Sequence, residues 1–154
     1  MADYYRKSLQ MLTSKLPRFY DGKTIIIMEL KSKELANFVS KYLSWENKKT
    51  KTIRLRNREF LKNKEFLIGF LRGLIDSDGY VRKERKEIYF GTVSKELSND
   101  FIKALDELNL IYKTYIQKRK GCSDFHKVRI ADNEVSKFCK KIRPIKWTDR
   151  DNYH

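Results

Sequence analysis

An α+β fold with an antiparallel sheet is predicted by the order of apolar patterns along the chain. From Glu65 onwards, segments with helical spacing alternate with pairs of short strand-like segments, in the order helix, two strands, helix, two strands, helix. Each strand pair surrounds a short polar turn, which is typical of antiparallel hairpins. Hydrophobic residues make up 40% of the 154 residues, enough for a core. We therefore expect an αββαββα domain over residues 65–147, followed by a tail at 148–154.

The upstream part of the chain is expected to contain a helix, a strand and a second helix. Apolar spacing over residues 3–16 predicts a helix that ends before Pro17, since proline cannot continue it. The β-branched run at 24–30 predicts a buried strand. Ser32 is placed to cap the helix that follows, because a serine hydroxyl accepts one of the unpaired N–H groups of a first helical turn.

The segment from Glu65 to Asp78 is predicted to be a buried helix, because apolar residues cover two of its faces. Gly69, Gly73 and Ser77 follow one another at intervals of four residues on a third face. Glycine within a helix costs about 1 kcal/mol relative to alanine, so this stripe implies close packing against another helix. The later elements are expected at 80–84 and 87–92 for the first hairpin, from Ser94 for the middle helix, at 111–118 and 125–131 for the second hairpin, and at 132–141 for the last helix.

The charge balance predicts an anionic partner. The chain has 35 Lys and Arg against 20 Asp and Glu, a formal net charge of +15, and residues 46–64 form its densest basic segment. Phosphate backbone is the commonest matching surface, although charge alone leaves DNA, RNA, acidic lipid and a merely solvated lysine-rich surface open. The sequence has neither a membrane-length apolar run nor an apolar signal segment. We therefore expect a soluble intracellular protein, in the cytoplasm or an organelle matrix, with no membrane partner.

One motif carries chemistry. Residues 71–79 read Leu-Arg-Gly-Leu-Ile-Asp-Ser-Asp-Gly and resemble the LAGLIDADG signature of homing endonucleases at seven of nine positions. The departures are Arg72 and Ser77, where the family usually has alanine. The resemblance covers residues 65–146 and implies the saddle-shaped αββαββα fold of that family. It also implies a sequence-specific, divalent-metal-dependent endonuclease that cleaves double-stranded DNA, with Asp76 in a structural role.

The resemblance implies roles for particular side chains. Asp78 is the expected catalytic carboxylate and metal ligand, helped by the backbone carbonyl of a neighbour such as Ser77. Such hard oxygen ligands suit Mg²⁺, or Mn²⁺, as the cofactor. Lys146 is the expected catalytic lysine. At the strand position where the family has a polar residue, this chain has Gly91 or Thr92, which departs from the family pattern.

The resemblance further implies that DNA binds to the sheet face opposite the helices, because a β-ribbon can lie in the major groove. Successive side chains along a strand point to opposite faces, so alternation selects the candidates. The side chains expected to point into the core are Val128, Ile130, Tyr112, Thr114 and Ile116. The outward DNA-binding candidates are Arg82, Tyr89, Lys113, Tyr115, Gln117, Arg119, Lys127 and Arg129. Protection of a sheet edge by basic side chains is the alternative.

Two motif helices pack together in this family, so a partner is expected to supply the second one. The stripe of Gly69, Gly73 and Ser77 is the expected homodimer interface, and a separate chain carrying the other motif is the alternative. Residues 1–64 then resemble the latter part of an earlier half-domain that lacks its motif helix and first hairpin. A non-cleaving nucleic-acid-binding protein of the same fold, either a transcriptional regulator or an intron maturase, and a ribosome-associated RNA-binding domain remain alternatives.

Overall fold

The structure, a computed structural model, describes residues 2–13, 15, 17–21, 26–118 and 120–148. It divides into two compact units, Met1–Tyr42 and Leu43–His154. The division therefore lies earlier in the chain than the boundary expected between residues 64 and 65. Within the described ranges, no helix is both long and apolar enough to cross a membrane.

The first unit contains a helix, a β-hairpin and a second helix. Its elements are α1 (Ala2–Thr13), β1 (Arg18–Asp21), β2 (Ile26–Glu29) and α2 (Lys33–Tyr42), and β1 pairs antiparallel with β2. β1 adds a strand to the expected order. α1 ends earlier than expected, because the Thr13 hydroxyl donates to the Leu9 carbonyl at 2.7 Å and accepts the Lys15 N–H at 3.3 Å. The expected cap of α2 is confirmed, since the Leu35 N–H donates to Ser32 Oγ at 3.1 Å.

The second unit contains the expected αββαββα order. Its elements are β3 (Leu43–Ser44), α3 (Lys49–Thr52), β4 (Arg54–Leu55), α4 (Lys64–Asp78), β5 (Gly79–Arg82), β6 (Glu87–Thr92), α5 (Lys95–Glu107), β7 (Tyr112–Gln117), β8 (Phe125–Ile130), α6 (Val135–Ile142) and α7 (Ile145–Thr148). Short 3-10 turns at Arg58–Lys62 and Asp132–Glu134 precede α4 and α6. Ser94 caps α5 as expected, with its Oγ accepting the Leu97 N–H at 3.2 Å. The α+β fold class is confirmed, and α7 is an additional element.

The core lies on one side of an antiparallel sheet. The strands are ordered β5-β6-β8-β7, so the two hairpins meet along β6 and β8. α4 and α5 pack on one face of this sheet, and α6 packs against α4. The side chains buried there include Leu71, Ile75, Val81, Ile88, Phe90, Phe101, Leu105, Val128, Ile130, Val135 and Phe138. Val128 and Ile130 therefore point inward as expected. Neither α4 nor α5 covers the opposite face of the sheet.

Two side chains expected in the core are exposed instead. Thr114 and Ile116 lie on the helix-facing side of β7, in register with Val128 and His126, yet Ile116 is 63% exposed. β7 is the edge strand, whereas α5 packs over β6 and β8. Both residues therefore face the expected side of the sheet but remain exposed, because alternation indicates the side of the sheet and not how far the helices extend across it.

Residues 43–62 are attached to the rest of the second unit by a buried carboxylate. Asp100 on α5 is 1% exposed, and it accepts the Leu55 N–H at 2.6 Å and the Arg58 Nε–H at 2.7 Å. The side chains of Leu55 and Leu61 join the core. A buried carboxylate is costly unless such donors satisfy it, so these contacts hold the segment firmly. This packing explains why the unit begins at Leu43.

Candidate active site

α4 ends at Asp78, and the residue after it lies so close to the helix that it has no room for a side chain. The Gly79 N–H donates to the Ile75 and Leu74 carbonyls and caps the helix. A Cβ on Gly79 would lie 2.6 Å from both the Cα and the carbonyl oxygen of Ile75. The φ angle of Gly79 is an ordinary −77°, so space rather than backbone conformation requires glycine here. Asp78 is thereby left exposed at the end of the helix.

Asp76 and Asp78 lie in opposite environments although they are two residues apart. Asp76 is 3% exposed, and its Oδ1 accepts the backbone N–H of Lys146 at 3.1 Å. Asp78 is exposed, and its Oδ2 accepts the Ser77 hydroxyl at 3.2 Å. A helix turns by about 100° per residue, so side chains two residues apart point to nearly opposite sides. Asp76 thus holds the backbone, whereas Asp78 presents carboxylate oxygens to the surface.

Lys146 brings an ammonium group to the same end of α4. Its Nζ donates to the Gly79 carbonyl at 2.7 Å and to the Ser77 carbonyl at 3.1 Å. Burial lowers the pKa of Lys146, while the carboxylates of Asp76 and Asp78 act in the opposite direction. The lysine and the carboxylate that the sequence singled out are therefore brought together at one site, 68 positions apart in the chain.

The donor set at this site fits a hard cation that also takes ligands from elsewhere. Mg²⁺ is usually held by one or two carboxylates together with phosphate oxygens and waters, and Asp78 supplies one exposed carboxylate. The Ser77 carbonyl, expected as a helping ligand, accepts the Lys146 ammonium instead. Over the described ranges, no cluster of three or more His, Cys, Asp or Glu side chains forms a self-contained metal site. Asp78 therefore fits a cation whose remaining ligands come from outside this chain.

One face of α4 leads away from this site and is open. Gly69, Gly73 and Ser77 are exposed along it. A Cβ on either glycine would meet nothing within 4 Å beyond its own stretch of helix. Phe66 and Phe70 stack on the same helix, with ring centroids 6.1 Å apart. The packing of the described chain does not itself require glycine at these two positions, and the stripe is accessible to a partner.

The sheet face opposite α4 and α5 carries the DNA-binding candidates. Lys113 lies opposite Arg129 and Tyr115 opposite Lys127, while Tyr89 flanks Arg129 on its other side. The side chains that the register places on this face include Tyr80, Arg82, Tyr89, Lys113, Tyr115, Gln117, Phe125, Lys127 and Arg129. Arg119, the remaining candidate, lies outside the described residues.

Aromatic rings and carboxylates hold the cations of this face in place. Lys127 Nζ lies 3.6 Å from the centroid of the Tyr89 ring, which stacks on Tyr80 at 4.7 Å. Arg129 contacts two carboxylates, of which Asp132 is the nearer at 2.9 Å. Side chains that are already ordered lose less conformational entropy when a ligand binds. A phosphate or a base that approaches this face therefore meets partly pre-organised cations.

Gly91 and Phe125 belong to this face but were not among the predicted site residues. A Cβ on Gly91 would lie 2.3 Å from Cζ of Phe125, so the ring lies directly on the glycine. The polar side chain that the family pattern places at Gly91 or Thr92 is therefore replaced at Gly91 by an aromatic ring. Phe125 is in phase with Lys127 and Arg129 along β8, so strand alternation was the signal that could have identified it.

Comparison with known protein families gives a match over the second unit. A model of the LAGLIDADG-like domain matches residues 65–143. Among solved structures, mesophilic variants of the homing endonuclease I-DmoI superpose with a TM-score of 0.63 at 17% identity, over 92% of this chain and 68% of that one. I-DmoI in complex with DNA and Mn gives a TM-score of 0.62 at 18% identity, over 92% of this chain and 69% of that one. At these identities the likeness shows a shared fold.

Curated relatives match this chain over a small part of their own length. Glutamine–fructose-6-phosphate aminotransferase of Methanocaldococcus jannaschii is 30% identical over 131 residues, 81% of this chain and 11% of that protein. An A-type ATP synthase subunit of Pyrococcus abyssi is 29% identical over 110 residues, 71% of this chain and 11% of that protein. The chain thus spans about a ninth of the length of each relative. One relative is named as an aminotransferase and the other as a subunit of an ATP synthase.

Replacement of Gly79 by alanine is expected to destabilise the second unit, because the new methyl group meets the Ile75 backbone. Overpacking of this kind typically costs about 1–3 kcal/mol. Gly73→Ala is the matched control, since its Cβ has free space and alanine favours the helix by about 1 kcal/mol. Urea unfolding followed by circular dichroism measures both free energies. Equal stabilities of the two variants would contradict the close approach at Gly79.

Proposed function

Since the chain belongs to the LAGLIDADG-like domain family, we propose that it is a site-specific endonuclease that cleaves double-stranded DNA with Mg²⁺ or Mn²⁺. One observation carries the proposal. The exposed Asp78 carboxylate and the Lys146 ammonium meet at the end of α4, on a chain whose sheet presents a basic, aromatic face. Both features suit the hydrolysis of a phosphodiester.

Asp78 and Lys146 have complementary tasks in such a reaction. A bound divalent cation would supply Lewis-acid stabilisation of the phosphate charge and an activated water. Asp78 would hold that cation through its exposed oxygens. Lys146, fixed by the Ser77 and Gly79 carbonyls, would place a positive charge beside the phosphate, where negative charge increases as the P–O bond breaks. Asp76 would hold the backbone at Lys146 in place, because its carboxylate accepts the backbone N–H of Lys146.

The sheet face is proposed to bind the DNA. Lys113, Lys127 and Arg129 supply charge, while Tyr115 and Gln117 supply groups that can reach base edges in the major groove. Arg82 and Tyr89 extend the face on the first hairpin. Arg119, which lies outside the described residues, is proposed as a DNA-binding residue from the sequence alone. The formal net charge of +15 favours association with the duplex as a whole.

A second motif helix is needed to cut both DNA strands, and we propose that a partner supplies it. The open stripe of Gly69, Gly73 and Ser77 lets another helix approach closely. A second copy of this chain would provide an identical stripe and a second Asp78. A different chain with its own motif is the alternative source.

The relatives support a homing role. An aminotransferase and a component of an ATP synthase share this segment although nothing in their names relates their activities. A segment that accounts for 11% of both is more simply a mobile insert, carried by an intron or intein, than a part of either activity. Cleavage of a DNA target is the activity that such an insert requires in order to spread.

A non-cleaving DNA-binding protein, such as a regulator or a maturase, is the second candidate. It is favoured by the departure from the family pattern at Gly91 or Thr92, since at Gly91 the ring of Phe125 covers a residue without a polar side chain. The sheet face would keep its function in such a protein, whereas Asp78 would have none. Divalent-dependent cutting of duplex DNA separates the two candidates.

Asp78→Asn is expected to abolish cleavage while preserving DNA binding. The amide keeps the size of the side chain but removes the negative charge that holds the cation, and binding in Ca²⁺ should persist or tighten as repulsion of phosphate is relieved. Gel-based cleavage of the duplex selected for tightest binding, in Mg²⁺ and in Mn²⁺, measures the loss. Glu65→Gln, at the other exposed end of α4, is the control and should cut normally. Normal cutting by Asp78→Asn would leave only the non-cleaving candidate.

Binding to duplex DNA is expected to weaken steeply with salt. Each phosphate neutralised lowers log affinity by about 0.9 per tenfold rise in salt, so Lys127→Gln should reduce the slope by about 1. Lys103→Gln removes an exposed charge from α5, on the other side of the sheet, and should leave the slope unchanged. Fluorescence anisotropy at a series of salt concentrations gives the slopes. A flat dependence for the unaltered chain would exclude binding through phosphates.

Gly73→Leu is expected to weaken association without unfolding the chain. Within one chain the added Cβ has free space and leucine has a better helix propensity, but the side chain would hold two stripes apart. Sedimentation velocity compares the assembly state, and circular dichroism checks the fold. Lys64→Leu, exposed at the start of α4, is the matched control. Unchanged assembly of a folded Gly73→Leu variant would rule out this stripe as the interface.

A further inference from the structure

Arg72, which departs from the alanine usual at its motif position, connects two helices. Its Nε donates to the carbonyl oxygen of Ile142 at 2.7 Å. This bond joins the middle of α4 to the last residue of α6, 70 positions away in the sequence. The side chain is half-buried on the side of α4 that faces α6, not on the open stripe. Arg72 therefore acts within the chain.

The Ile142 carbonyl is a group that a helix leaves without a partner. The last four carbonyls of an α-helix lie beyond the reach of its own N–H ladder. Here Arg143 adopts a left-handed conformation, with φ 50°, and its N–H returns to the Cys139 carbonyl at 2.9 Å. Pro144 then has no N–H to offer. Arg72 supplies both a donor and a positive charge at the negative end of the α6 dipole.

The corner between α6 and α7, residues 142–148, also carries Lys146. After Pro144 the chain turns into α7, where the Lys146 N–H donates to Asp76 at 3.1 Å and the Lys146 ammonium reaches the carbonyls at the end of α4. Arg72 and Asp76 are four residues apart and thus neighbours on α4. Arg72 binds Ile142 and Asp76 binds Lys146. The corner is therefore attached to α4, the motif helix, at two points.

We propose that Arg72 is a positioning residue for Lys146: by capping α6 it fixes the 142–148 corner, and the corner fixes the Lys146 ammonium beside Asp78. The proposal rests on the proposed endonuclease function for its catalytic meaning. Arg72 touches neither DNA nor cation in this role. Lysine at position 72 would retain one donor and one charge without the planar guanidinium, so it should restore part of the effect.

Hydrogen exchange measured by mass spectrometry tests the structural half of the proposal without any need for activity. In Arg72→Ala, amide exchange over residues 142–148 should accelerate by about tenfold, as expected for the loss of one charge-assisted hydrogen bond, and Arg72→Lys should lie between. Lys137→Met is the matched control, because Lys137 also donates to a backbone carbonyl, that of Asn109 at 3.0 Å, just after the end of α5 and outside residues 142–148. Unchanged exchange over 142–148 in Arg72→Ala overturns the proposal, whether or not the chain cuts DNA.

Single-turnover cleavage tests the catalytic half. Arg72→Ala should lower the rate constant by at least about tenfold while DNA affinity in Ca²⁺ stays unchanged. In a Lys146→Met background the same substitution should have no further effect, because Arg72 would act through Lys146. An equal loss in both backgrounds overturns the route through Lys146. An unaltered chain that cuts no duplex overturns the proposed function instead, and this outcome is separate from the exchange result.

Discussion

The burial of one side of α4 against the sheet determines where every other part of the candidate site lies. Leu71 and Ile75 are completely buried, and burial of such a side chain contributes about 2 kcal/mol. With that side fixed, the helical turn directs Asp76 into the protein and Asp78 out of it. The same rotation leaves Gly69 and Gly73 on the open face. The proposed site, the open stripe and the core contacts thus lie on three faces of one helix.

The end of α4 concentrates negative charge, and Lys146 balances it. Two carboxylates and the carbonyls of the last helical turn meet there, where the helix dipole also has its negative end. The Lys146 ammonium lies within this field, although burial lowers its pKa. An anionic phosphate would be repelled by such an end unless cations were already present. In the proposed nuclease site, the lysine therefore accompanies the carboxylate.

The sheet face combines cations with aromatic rings in contacts that do not involve α4. Lys127 lies on the Tyr89 ring, and Arg129 is paired with carboxylates, so the cations are ordered independently of α4. Phe125 covers Gly91 and makes part of the face apolar. The face and the end of α4 therefore depend on different contacts, and one can change without the other.

Local patterns in the sequence were sufficient for the family resemblance, the α+β fold class, the element order from residue 65 and the serine caps, all of which are confirmed. These features depend on residues within one or two helical turns of each other. The spacing of apolar and polar residues along the sequence reflects such local contacts directly. Tertiary structure decided the exposure of Ile116 and the division at residue 43. It also decided the contacts of Arg72 with Ile142 and of Lys146 with Asp76. Each depends on groups that lie far apart in the chain, and only the packing of helices on the sheet brings those groups within hydrogen-bond distance or leaves a strand uncovered.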